Sequence, residues 1–116
     1  TLAGTGSGIG LAVSGTSTQI TLKRAILRNL TTGISQSGSA TRLTLVNNTI
    51  VHSAAGDGVY LANTSTCTLI NNIILSNGDG TGDYGIQNQG TGIVTASYNC
   101  IFGNTSGAMS NVVMGP

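Results

Sequence analysis

Few side chains in this sequence could do chemistry. Asp57, Asp79 and Asp83 are the only carboxylates, because glutamate is absent. His52 is the single histidine, Cys67 and Cys100 are the only thiols, and the cations Lys23, Arg24, Arg28 and Arg42 all lie in the first half. Glycoside hydrolysis needs two carboxylates roughly 5–9.5 Å apart across a cleft. Asp57 and Asp83 stand just ahead of glycines in successive units of a repeat, so stacking the units would bring them within about one or two strand spacings. Asp beside Gly is also an ordinary turn pair, and turn chemistry is the better explanation of both residues. Polysaccharide or calcium would be held, if anywhere, by the same Asp57, Asp79 and Asp83. Calcium asks for six to eight oxygens, which three carboxylates supply poorly, so no cofactor is expected and calcium is the lesser alternative.

His52 falls in a column with Arg28, Ser76 and Gly103. A general base there needs an orienting partner and a nucleophile in reach. The sequence names neither, which leaves a surface or corner histidine. Two cysteines without clustered histidines are too few for a zinc site, and buried or half-buried free thiols are the expectation. Four cations against three acids give a net charge of +1. That is far from the basic stripe a nucleic-acid binder needs. No apolar run approaches the roughly 18 residues needed to span a bilayer.

What could position these residues is set by an unusual composition. Glycine occurs 18 times, proline once and tryptophan never, charged residues are 6% of the chain, and 39% is hydrophobic. Strong helix formers such as Glu and Lys are nearly absent, so a helical fold is a poor fit. The apolar content is enough for a core. The chain has no initiator Met and no signal-like leader, and reads as a mature product or a segment of something longer.

An internal repeat of about 25 residues organises the sequence. Gly8-Ile9, Gly33-Ile34, Gly58-Val59 and Gly85-Ile86 form one column. Ile20-Thr21-Leu22, Leu43-Thr44-Leu45, Cys67-Thr68-Leu69 and Val94-Thr95-Ala96 form a second, and Ile26, Ile50, Ile74 and Ile101 a third. Each unit holds three short runs separated by Gly, Asn, Ser and Asp, the residues of turns. Apolar–Thr–apolar alternation marks a strand with one buried face. One such triangle cannot cover its own inner face. Coils stacked at the interstrand spacing of about 4.8 Å can, and each strand then pairs with its equivalents above and below. Asn48, Asn72 and Asn99 recur at a corner, where stacked amides would form a ladder and where Asn tolerates a left-handed backbone. The stretch from Asn77 to Tyr84 reads as a corner loop lengthened by two or three residues.

The expected fold is therefore all-β: a right-handed, single-stranded parallel β-helix of about four coils of roughly 25 residues, in one domain over 1–116. The repeats run over about 8–32, 33–57, 58–84 and 85–107, with a tail at 108–116. One residue beyond the isoleucines lies a second apolar column, Leu27, Val51, Leu75 and Phe102. If the isoleucines point in, this stripe points out and is a candidate interface. A bulge or corner that tucks both columns inside is the equal alternative, since short runs leave parity ambiguous.

Leu45-Val-Asn-Asn-Thr-Ile-Val-His52, Leu69-Ile-Asn-Asn-Ile-Ile-Leu-Ser-Asn77 and Ser97-Tyr-Asn-Cys-Ile-Phe-Gly-Asn104 resemble the repeats of right-handed β-helix proteins of the pectin-lyase-like superfamily. Similar coils occur in large bacterial secreted or surface proteins. The resemblance implies the fold and an extracellular or cell-surface location. It does not choose an activity, because the superfamily holds lyases, hydrolases, adhesins and fibres. Pectate-lyase-type relatives pair an acidic calcium cluster with a nearby Arg or Lys base. Polygalacturonase-type relatives carry NTD, DD, GHG and RIK motifs, and none of these occurs here.

A short stack also exposes unpaired backbone at both ends: residues 1–7 offer no amphipathic cap helix, and the tail 108–116 is apolar enough to lie across the last coil but short. Neighbouring coils of a longer chain, self-association end to end, or a covering partner would resolve this. The expected function is a non-enzymatic, extracellular structural or adhesive β-solenoid that stacks into fibres. A carbohydrate-active or polysaccharide-binding segment is the alternative.

Overall fold

The computed structural model describes residues 1–115. Its strands follow one another in threes, each three making one coil. The first coil is β1 (Leu2–Ala3), β2 (Ile9–Val13) and β3 (Gln19–Lys23). The second is β4 (Ile26–Arg28), β5 (Thr32–Gln36) and β6 (Arg42–Val46), and the third β7 (Thr49–Val51), β8 (Val59–Leu61) and β9 (Thr66–Ile70). The fourth is β10 (Ile73–Leu75), β11 (Tyr84–Asn88) and β12 (Val94–Ser97), and the fifth β13 (Cys100–Phe102), β14 (Gly107–Ser110) and β15 (Val113–Met114). Equivalent strands pair in parallel, giving three five-stranded sheets with orders β1-β4-β7-β10-β13, β2-β5-β8-β11-β14 and β3-β6-β9-β12-β15. The all-β solenoid expected from the repeat is what forms. Its coils number five where four were expected, because residues before Gly8 and after Gly107 pair as strands of the end coils.

The inner columns supply the core. Ile34, Val59 and Ile86 stack from the second sheet, Leu45 and Leu69 from the third, and Ile50 and Ile74 from the first, all at 0% exposure. The third sheet keeps the register read from sequence residue for residue: Thr21, Thr44, Thr68 and Thr95 align, with their apolar neighbours inside. The recurrent glycine has a packing cause. A Cβ on Gly58 would meet Ile74 Cγ2 at 2.7 Å, and one on Gly85 would meet Ile101 Cγ2 at 2.6 Å, so glycine makes room for the isoleucine of the neighbouring sheet.

Two registers differ from expectation, both near the start of the chain. In the first sheet Leu27, not Ile26, stands over Ile50, and Ile26 pairs with Thr49. Leu27 is 5% exposed and belongs to the core, whereas Ile26 is 42% exposed. In the second sheet Leu11, not Ile9, aligns with Ile34.

Each coil turns three corners, and each corner uses left-handed backbone. Ser17, Ala40 and Asn63 mark one, Arg24, Asn47, Asn71 and Tyr98 the next, and Asn29, His52 and Ser76 the third, all with φ between 51° and 61°. The expected asparagine ladder forms beside the second of these. Asn48 Nδ2 donates to Asn72 Oδ1 at 3.0 Å, and Asn72 Nδ2 to Asn99 Oδ1 at 2.9 Å. The left-handed residues are their predecessors, not the ladder asparagines themselves, which are instead bonded inward and largely buried.

Candidate functional site

The third corner column carries a groove open to solvent. It encloses about 550 Å³ and runs across the coils, lined by Gly4, Thr5, Gly6, Asn29, His52, Ser53, Ala54, Ser76 and Gly78. His52 is at its middle, because the corner turns through a left-handed residue in each coil and so projects one side chain per rung: Asn29, His52, Ser76. Backbone bonds from Asn29 N–H to Val51 O and from His52 N–H to Leu75 O fix that register. Arg28 is thus not beside His52. It lies one position earlier, paired with Val51. The groove offers His52 hydroxyls and an amide, but none of its lining residues is a carboxylate that could orient the imidazole.

The three aspartates lie outside this groove. Asp57 is 6% exposed, and its Oδ1 accepts a hydrogen bond from Tyr84 N–H of the next coil. Burial pushes its carboxyl up to about 6, the Tyr84 bond opposes that rise, and the neighbouring Asp83 charge adds to it. Stacking has therefore brought Asp57 and Asp83 within electrostatic reach. Asp83 Oδ2 accepts from Asp79 N–H at 3.1 Å and from Gly80 N–H at 2.9 Å. Asp83 thus closes the turn of its own loop, as Asp near Gly does generally, whereas Asp57 ties its corner to the next coil. Among the described residues no three His, Cys, Asp or Glu side chains gather as a metal site would require, so Asp57, Asp79 and Asp83 form no such cluster. The lengthened loop is pinned to the fifth coil: Gly82 N–H donates to Ser106 Oγ at 2.7 Å and Thr105 Oγ1 to Gly78 O at 2.7 Å.

Of the candidate stripe, Leu27 is inside, and its place on the outer face is taken by Arg28. Val51 and Leu75 are half-buried on the outer face of the first sheet, and Phe102 is 68% exposed. Ile26 and Ile73, at 42% and 43%, flank them on the same face, so this sheet presents apolar side chains on both sides. Sequence reading missed Ile26 and Ile73 as exposed residues; the out–in–out pattern of three-residue strands was the available signal.

Cys67 and Cys100 are both free, on different sheets. Burial pushes the Cys67 thiol up to about 12, consistent with a packing role in the column between Leu43 and Val94. A second amide ladder was also missed. Ser53 N–H donates to Asn77 Oδ1 at 2.9 Å and Asn77 Nδ2 to Asn104 Oδ1 at 2.9 Å. The recurrence of Asn77 and Asn104, 27 residues apart, was its signal.

No helix among the described residues is long and apolar enough to cross a membrane. The sequence pattern that defines the right-handed β-helix region matches residues 3–113. Comparison with curated proteins and with solved structures finds no match. The chain belongs to the right-handed β-helix family.

Proposed function

We propose that this right-handed β-helix is a non-enzymatic, extracellular structural or adhesive solenoid whose end faces take further coils, so that molecules stack end to end into fibres. The observation that carries this reading is the change in cover along each column. Ile34, Ile50, Val59, Ile74 and Ile86 are at 0% exposure in the middle coils, while Leu11, Ile20, Leu22, Ile101, Met109 and Val112 at the ends are only partly buried. Beyond them each sheet ends in an unpaired edge strand, a template for another strand. The cations in the first two coils and the acids in the third and fourth polarise the molecule along its axis, which favours head-to-tail contact over contact between like ends. The extracellular placement rests on the resemblance to secreted and surface β-helix proteins.

Negative-stain electron microscopy of the purified chain at neutral pH tests it. Thin unbranched fibres one solenoid wide are the expected result. Particles one chain long at every concentration would sink the stacking.

A second reading draws on the groove around His52, whose amide, imidazole and hydroxyl groups suit a neutral polysaccharide. If the protein cleaves polysaccharides, and Asp57→Asn with Asp83→Asn abolishes cleavage, the carbohydrate-active alternative replaces the structural one. Binding without cleavage that His52→Ala weakens would favour a polysaccharide-binding module.

A further inference from the structure

We propose that the corner where the second sheet passes into the third holds a tetrahedral oxyanion, the phosphate or sulfate group of an ester, in a cleft between Arg42, Thr64 and Thr66. The inference goes beyond the structural reading and does not draw on the end faces, because the cleft lies on the side of the second and third coils.

The cleft encloses about 210 Å³ and is lined by Ala40, Thr41, Arg42, Thr64 and Thr66. Register builds it. Arg42 pairs with Thr66, and two residues earlier the Ala40 N–H donates to Thr64 Oγ1 at 3.3 Å. Between these contacts Thr41 and Ser65 turn inward, at 1% and 2% exposure, with their hydroxyls bonded to each other at 2.7 Å. Gln36 Nε2 donates to Thr41 Oγ1 and Ser65 Oγ to Gly38 O, so the inner side of the corner is a fixed polar network. The inward turn of Thr41 and Ser65 leaves Ala40, Arg42, Thr64 and Thr66 facing out, and all four are exposed. Ala40 contributes a methyl where the other three carry polar side chains, so the surface dips there.

The rim offers donors and positive charge. Thr64 Oγ1 accepts from Ala40 N–H, which leaves its own O–H to point into the cleft. Thr66, exposed beside Arg42, supplies a second hydroxyl. No carboxylate stands on the strands of the third sheet, on the connections that enter it (14–18, 37–41, 62–65 and 89–93) or on the corners that leave it. Asp57, Asp79 and Asp83 all lie on connections from the first sheet to the second, at a different corner. Lys23 ends a strand of the same third sheet and Arg24 follows it, so three of the four cations share this side of the molecule with no acid to offset them.

The donor set selects a tetrahedral anion. The guanidinium fork of Arg42 takes two oxygens of an anion side by side. The two threonine hydroxyls come from the neighbouring coil, about 4.8 Å away, and meet a third oxygen on the other side of the cleft. A carboxylate has two oxygens in one plane; the fork uses both, and the hydroxyls are left without an acceptor. A nucleic acid would need many more cations than the three on this side. A cleft of this size admits one oxyanion and the start of the group that carries it, so the ligand enters by its phosphate or sulfate end.

The test is amide NMR of the full chain titrated at constant ionic strength with methyl phosphate, methyl sulfate and, as the planar control, acetate. Saturating shifts at Ala40, Arg42, Thr64 and Thr66 are expected with a tetrahedral anion, and acetate should need at least about 3-fold more to produce them, the hydroxyl bonds being lost. Arg42→Gln keeps an amide donor but loses the charge and the fork, and should weaken binding at least about 10-fold. Thr66→Val, an isostere without the hydroxyl, should weaken it about 3-fold and keeps the question open to test if Arg42→Gln does not fold. Arg28→Gln, on the first sheet, should leave binding unchanged. Tighter binding of methyl sulfate would assign a sulfate ester and tighter binding of methyl phosphate a phosphate ester, and either supports the site. No saturation with either anion, equal binding of acetate, shifts spread alike over Lys23, Arg24 and Arg28, or parental affinity in both cleft variants would each overturn the inference.

Discussion

Asp57 holds a carboxyl where water scarcely reaches it, with Asp83 close by in the next coil. Its proton is held up to about 6, against an ordinary value near 3.8. The folded state therefore binds more protons than the unfolded state between these values, and stability falls as pH rises through that window. The gain is fully present below about pH 4 and lost above about 6. At roughly 1.4 kcal/mol per pH unit the whole effect is at most about 3 kcal/mol. Asp57→Asn keeps an oxygen for Tyr84 N–H and removes the charge. Urea denaturation of this variant should show higher stability than the parent at pH 7.5 and a flatter profile from pH 4 to 6; an unchanged profile would disprove the assignment. A second residue-scale cost lies at Ala40, held at φ 51° with no local bond from its side chain. Left-handed backbone costs a non-glycine residue about 1–2 kcal/mol, while glycine loses about 0.5–1 kcal/mol more chain entropy. Ala40→Gly should raise stability by about 0.5 kcal/mol or slightly more, read as a higher denaturation midpoint at unchanged slope.

Among the elements, the asparagine ladders hold the corners in register. Asn72 accepts from Asn48 twice and donates to Leu45 O and Asn99 Oδ1, all in a buried or nearly buried place. Asn72→Ala would orphan the buried Asn48 N–H and remove the amide's bonds to Leu45 O and Asn99 Oδ1. At about 1–3 kcal/mol for the unsatisfied group and about 0.5–1.5 kcal/mol for each bond lost, a loss of about 3–5 kcal/mol is expected, and equilibrium unfolding should register it. A loss under about 1 kcal/mol would mean that water replaces the amide. The elements also show what was legible in the sequence. The third sheet was readable throughout because its strands are mostly five residues long and alternate apolar–Thr–apolar, so only one parity fits. The first sheet misled at Ile26 and Leu27 because three-residue strands here are apolar on both faces, and a 24-residue step fits as well as the true 23. In the second sheet Gly8-Ile9 and Gly10-Leu11 differ by two residues, which preserves the face and hides the shift. The site was less legible than the fold. The groove depends on which residue turns each corner, and one misplaced coil was enough to put Arg28 where Asn29 stands.

For the whole molecule, stability is a sum over nearest neighbours. Each coil contacts only the coils above and below, so an interior coil is held on two faces and an end coil on one. The end strands are also the shortest: β1 and β15 have two residues each, exposed on every position. Nothing local compensates them, since Leu2, Val113 and Met114 are 45%, 62% and 63% exposed. Opening should therefore start at the ends and cost progressively more toward the third coil. Hydrogen exchange by mass spectrometry on the dilute, unassembled chain should show protection peaking at β7, β8 and β9. Amides in β1 and β15 should exchange at least about 100-fold faster, which corresponds to about 2.7 kcal/mol of extra opening free energy in the centre. Uniform protection would mean that all five coils open as one unit and that the ends are not the weak places of the fold. If the ends are weak, stacking acts twice: it lengthens the solenoid and also covers the two coils that cannot hold themselves. Exchange repeated on assembled fibres should then show β1 and β15 slowing toward the values of the middle coils, while β8 changes little.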